Sequence, residues 1–263
     1  MSPMLWYKVW LETRFRFLLG MAAICSLCAF YVFFRPTAVA RWKELLRLHP
    51  DWHRPWWIDR AINEYPFYIW RILFDDSLRY LWAGFAVLIG IGGLTQENGR
   101  GAAAFTLSLP VSRWRLARAQ MTCSCLELMI LALLPAIVIP ALSPCVQGNY
   151  SVREAICRGL LMATGGLVFF GFASLASALS ESPHVPLIVS VAIAILLQSL
   201  VGPYEHDLKE PFTLRAVDVF KLISGSPDLH WYSFPWVGWL ASVSAAVLLG
   251  IFAIRVIEAR DYR

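Results

Sequence analysis

Charge is scarce in this chain. Only 16% of its 263 residues are Asp, Glu, Lys or Arg, against about a quarter in a soluble globular domain. The familiar catalytic signatures are missing too. No H-E-x-x-H and no G-x-S-x-G occurs, so neither a helical zinc-protease site nor a nucleophile elbow is encoded. No Gly-Lys dipeptide occurs either. That removes the phosphate-binding P-loop, and the chain cannot hydrolyse ATP by that route. Internal repeats and low-complexity tracts are absent, and no connection is long enough to hold a soluble domain.

What the chain has in quantity is apolar residues, at 58%, with a mean hydropathy of +0.57. Counted in spans of about 20 residues, this predicts an all-α membrane protein with six transmembrane helices. The runs are Phe17–Phe34, Leu78–Leu94, Ala119–Leu142, Gly159–Leu179, Val185–Val201 and Trp236–Ile254. The whole chain, 1–263, reads as one membrane domain. The first run is 18 residues long, longer than the roughly 7–15 of a signal-peptide core, and reads as a retained helix. Before it, Leu5, Trp6, Val9 and Trp10 share a helical face, which predicts an amphipathic helix lying on the membrane surface. Basic residues are denser beside the ends and the 95–118 segment, which places both ends in the cytoplasm. Trp42, Trp52, Trp56, Trp57, Tyr65, Tyr68 and Trp231 crowd the two long outer segments, at headgroup level.

Few residues carry chemistry. Cys25 and Cys28 form a C-x-x-C inside an apolar run, where a reactive thiolate is denied. They read as small buried residues, as do Cys123 and Cys125. Cys145 and Cys157 flank a short outer loop at a spacing that permits a disulfide. His49 and His53 are four apart with Pro50 between them and no third ligand. Arg71, Asp75 and Arg79 form an i,i+4 ladder, worth about 0.3–0.5 kcal/mol per exposed pair. Glu127 is the one acid well inside a run, at a depth that costs roughly 2.5–3.5 kcal/mol. It either lines a substrate path or interface, or reaches water or a neighbouring helix. Gln198 is a weaker candidate of the same kind. Ala173 and Ser177, and Ser174 and Ala178, are small pairs four apart that serve helix packing or a subunit interface.

The most informative stretch is "GGLTQENGRGAAAFTLSLPVSRWRLARAQ", Gly92 to Gln120. Gly99 and Gly101 break a helix, and Ala102–Leu107 can form a short one. Leu109-Pro110 ends it, because a residue before proline avoids helical backbone. Ser112 can cap the next helix, and Arg113, Arg115 and Arg118 then meet the headgroups. A plain connection between helices needs only about 2–8 residues. This one builds a protruding helix–break–helix.

Within it, "ENGRGAAAFTLSLPVSR" resembles the signature of type-2 ABC transporter permeases, the membrane subunits of ATP-driven exporters. Glu97, Leu107, Leu109, Pro110, Val111, Ser112 and Arg113 match that pattern. Arg100-Gly101 and the alanines depart from it, where Gly-Thr is usual. The order of elements and the ending "RVIEARDYR" are similar as well. The resemblance implies a cytoplasmic coupling helix between helices 2 and 3, docking into a separate ATPase subunit through Glu97, Arg100, Phe105, Leu109, Pro110 and Arg113. It implies two permease chains and two ATPase chains, with ATP and Mg on the ATPase and no cofactor or catalytic residue here. The setting would be the bacterial plasma membrane. The alternatives are an intramembrane enzyme acting on lipid-type substrates, with Asp75-Asp76 as its start, and a membrane scaffold recruiting a cytoplasmic partner.

Overall fold

The computed structural model describes residues 3–49, 55–91, 113–180, 182, 184–201, 218–229 and 231–259. Those residues are helical almost throughout and include no strand. Helix α1 runs Pro3–Leu48, α2 Trp57–Asn63 and α3 Tyr65–Tyr68. A π-helical stretch, Ile69–Leu78, joins α3 to α4, Arg79–Gly90. Then come α5, Arg113–Leu142, α6, Val152–Leu179, α7, Val185–Val201, the short α8, Val219–Ser224, and α9, Trp236–Ala259.

Among the described residues, four helices are long and apolar enough to cross a membrane: α1, α5, α6 and α9. The chain is therefore a helical membrane protein. Residues 78–90 of the second predicted run lie on the composite rod from Tyr65 to Gly90, which carries Arg71, Asp75, Asp76 and Arg79. The fifth lies on α7, whose 17 residues fall at the short end of a crossing.

Helix α1 differs from the expected surface helix followed by a span. It is one rod of 46 residues, about 69 Å at 1.5 Å per residue. Met4 to Leu19 contains no glycine or proline to end a helix, so residues 3–16 continue straight into the apolar run. Helix α5 likewise runs through Pro135 and Pro140 without interruption.

The centre of the bundle is α6. In its most apolar window 72% of residues are buried, against 11% in α9. It packs on α4, α5, α7, α8 and α9. Small residues allow this crowding. A Cβ on Gly90 of α4 would stand 2.8 Å from both the Ala173 Cβ and the Phe170 carbonyl oxygen. A Cβ on Gly166 would stand 2.6 Å from the Trp82 Nε1, and that indole donates to the Met162 carbonyl at 2.6 Å. Ala173, Ser174, Ser177 and Ala178 are all buried inside this one chain, and the Ser174 hydroxyl donates to the Gly90 carbonyl at 3.4 Å. The subunit-interface reading of these small residues is therefore corrected: they serve packing within the chain.

Candidate functional site

Most of the 92–112 insert, with Glu97, Arg100, Phe105, Leu109 and Pro110, lies outside the described residues. Arg113 is the first residue of α5, and Gln198 sits on the backbone of α7; neither side chain is described. The structure does describe the two stems of the insert, the end of α4 and the start of α5.

One face of α1 holds both stems. The Thr13 hydroxyl, 3% exposed, donates to the Glu127 Oε1 on α5 in a short bond. Arg16, three residues on, donates through Nη1 to the Leu88 carbonyl on α4 at 2.8 Å. One turn further, a Cβ on Gly20 would meet Leu131 of α5 at 3.2 Å and Phe85 of α4 at 3.3 Å. Thr13, Arg16 and Gly20 thus line one side of the rod, in contact with the two helices on either side of the insert.

Glu127 is only 4% exposed. Besides Thr13, its Oε1 faces the Cys123 thiol at 3.9 Å, while Oε2 is buried with no hydrogen-bond partner. Of the sequence readings of this acid, contact with a neighbouring helix is what its surroundings display. Thr13 and Arg16 were missed because they belong to the segment before the first apolar run, read as an amphipathic helix on the membrane surface.

A second polar centre lies at the other end of the bundle. Arg158 of α6 is fully buried. It donates to the Glu154 Oε1 through Nη2 at 2.6 Å and Nε at 3.2 Å. It also donates to the carbonyls of Ser224 at 3.0 Å, Ser226 at 3.1 Å and Pro227 at 3.2 Å. Its guanidinium stands 5.3 Å from the Phe74 ring centroid, and the Trp70 indole donates to the adjoining Gly225 carbonyl at 3.0 Å. Sequence reasoning missed this node, although Glu154 and Arg158 stand four apart, the spacing of a helical ion pair.

The Arg71–Asp75–Arg79 ladder is present, with one change from the expectation. Asp75 and Arg79 are each 8% exposed, so these are not surface pairs. Asp75 accepts from Arg71 in a short bond and from Arg79 at 3.1 Å. The π-helical winding brings residues five apart onto one face, and Arg71 therefore also reaches the Asp76 carboxylate at 2.8 Å. Both carboxylates named for the enzyme reading are held by arginines. Nearby, burial pushes the Tyr65 phenol above its ordinary value and the Tyr68 phenol up to about 12. Both stay protonated at neutral pH; Tyr65 shares a hydrogen bond with Ser143 at 2.7 Å, and Tyr68 donates to the Tyr31 carbonyl at 3.3 Å.

All six cysteines are free, with Cys145 exposed and Cys157 buried. His53 lies outside the described residues, and among those residues no cluster of His, Cys, Asp or Glu is arranged to hold a metal. No protein-family model matches the chain, and no curated protein matches it.

Proposed function

We propose that this chain is the membrane-spanning permease subunit of an ATP-driven exporter, similar to the type-2 ABC permeases. The observation that carries the reading is the segment Glu97–Arg113, with its Leu-Pro-Val-Ser-Arg restart at the head of a long apolar helix. The clamp of Thr13, Arg16 and Gly20 supports it. A force applied to the insert enters α4 and α5, and α1 is bonded to both.

In this reading all six apolar runs cross the bacterial plasma membrane and both ends are cytoplasmic. The insert is a coupling element. Two separate ATPase subunits bind ATP and Mg, close on each other and push on it, and the permease pair changes its opening. The second permease chain is required because six spans with few ionisable groups give little lining for a wide path. Glu97, Arg100, Phe105, Leu109, Pro110 and Arg113 set contact or shape, and none is catalytic.

The experiment is a pair of variants, Glu97→Arg and Leu109-Pro110→Ala-Ala, read by co-purified ATPase and by ATP turnover in membranes. Charge reversal at a partly desolvated contact is expected to weaken docking by about 1–3 kcal/mol. Neither change touches an apolar run, so insertion and expression survive. Full partner binding and transport in both variants reduces the insert to a linker and overturns the proposal. Labelling of Ser112→Cys only from the outside, or native mass showing one permease per particle, does the same.

A further inference from the structure

Arg35 of α1 and Ser143 mark one level of the bundle. Each stands one residue past the end of an apolar run, Phe17–Phe34 and Ala119–Leu142. Tyr65 of α3 touches both. Its hydroxyl shares a hydrogen bond with Ser143 at 2.7 Å, and its ring centroid lies 4.9 Å from the Arg35 guanidinium carbon. The Tyr68 centroid lies 6.0 Å from the same carbon. The guanidinium is thus held over tyrosine rings at the depth where hydrocarbon gives way to headgroups. Phe30, Phe33 and Phe34, within one and a half turns on α1, are exposed, so lipid covers α1 up to this level.

Arg35 has five N–H donors and no acceptor for them. Its Nε is buried with no hydrogen-bond partner. Among the described residues the guanidinium makes no hydrogen bond and no ion pair. The tyrosine hydroxyls are engaged elsewhere, with Ser143 and with the Tyr31 carbonyl. The carboxylates of the neighbouring elements are held by other arginines: Glu64 by Arg60, Asp75 and Asp76 by Arg71, and Glu154 by Arg158. Arg35 is half-buried, and its two Nη nitrogens, unlike Nε, form a reachable edge. A cation taken partly out of water is costly without an anion. The planar fork of a guanidinium matches two oxygens of one phosphate. None of the four neighbouring carboxylates is free for a headgroup ammonium, so a headgroup of net negative charge fits better than a zwitterionic one.

We propose that Arg35, seated on Tyr65 and Tyr68, binds the phosphate of an anionic membrane phospholipid through its two Nη nitrogens. The site goes beyond the exporter reading and stands whether or not an ATPase drives the chain.

The test is native mass spectrometry of the full chain in detergent, with dioleoyl phosphatidylglycerol and dioleoyl phosphatidylcholine added separately. The wild type is expected to retain one phosphatidylglycerol at concentrations where phosphatidylcholine is lost. Arg35→Gln lowers that affinity about tenfold, the worth of one charge-assisted hydrogen bond. Arg35→Lys keeps a charge but not the fork; it falls between, and it carries the test if Arg35→Gln does not fold. Arg41→Gln removes an exposed arginine of the same helix and binds as the wild type does. Excess inorganic phosphate leaves the lipid in place. Thermal unfolding confirms that each variant is folded. Equal loss in Arg35→Gln and Arg41→Gln overturns the proposal, because general surface charge then accounts for the binding. Equal retention of the two lipids, or full binding in the Arg35 variants, overturns it too. So does displacement by inorganic phosphate, which makes the anion a soluble one. No arm depends on ATP, so failure here and failure of the exporter reading are separate results.

Discussion

Thr13 on α1 and Glu127 on α5 are 114 positions apart in the chain and joined by a short, buried hydrogen bond. The bond matters because Glu127 has little else. Its second oxygen has no hydrogen-bond partner; beyond Thr13 it has a thiol at 3.9 Å and the charge of the nearby Arg16. Thr13→Val keeps the shape and removes the donor. It is expected to destabilise the fold by about 1–3 kcal/mol, the cost of an unsatisfied buried group. Replacing both residues, Thr13→Val with Glu127→Leu, is expected to recover most of that loss. Thermal unfolding of the purified chain measures both. A double variant as unstable as the single would show that the carboxylate has another partner.

The glycines separate into two kinds that one substitution distinguishes. Gly84 and Gly250 would each place a Cβ in open space. Alanine there is expected to stabilise by about 0.5–1 kcal/mol, the difference in helix propensity. Gly166 faces the fully buried Trp82, and that indole is tied to the Met162 carbonyl. Gly166→Ala is expected to cost about 1–3 kcal/mol through overpacking. A series of melting temperatures in which all three substitutions behave alike would contradict the α4–α6 packing.

The sequence made the helices legible where apolar length alone decides them. The runs ending at Phe34, Leu142, Leu179 and Ile254 all lie in long apolar helices. It was less informative where tertiary contacts decide. Nothing local marks residues 3–16 as part of the same rod as Phe17, because the missing signal is an absence of breakers. The π-helical winding at Ile69–Leu78 left no trace in a 3.6-residue pattern. Small residues on α6 announced close packing, but not that the partner was Gly90 of the same chain. At the candidate site, the depth of Glu127 was readable and its partner Thr13 was not. A hydroxyl in a basic flank gains meaning only when a second helix arrives.

Arg158 offers the sharpest stability test, because two causes can be separated. One is the ion pair with Glu154, whose carboxylate oxygen takes two bonds from the guanidinium. The other is the set of three carbonyls, at Ser224, Ser226 and Pro227, that the same guanidinium ties to α6. Arg158→Met removes both and leaves Glu154 buried without its cation; the expected cost is about 3–5 kcal/mol. Adding Glu154→Leu removes the stranded charge but not the orphaned carbonyls, so about 1–3 kcal/mol should remain. Arg158→Lys keeps the charge, but an ammonium lacks the planar fork that reaches a carboxylate and three carbonyls together. It is expected to fall between wild type and Arg158→Met, with the 224–227 turn loosened. Thermal unfolding ranks the variants, and limited proteolysis between residues 224 and 229 reports the turn directly. If the double variant regains full stability while the turn becomes protease-sensitive, the ion pair alone holds the global fold. If the double variant is no better than Arg158→Met, the carbonyl bonds are what Arg158 supplies, and Glu154 serves only to neutralise it.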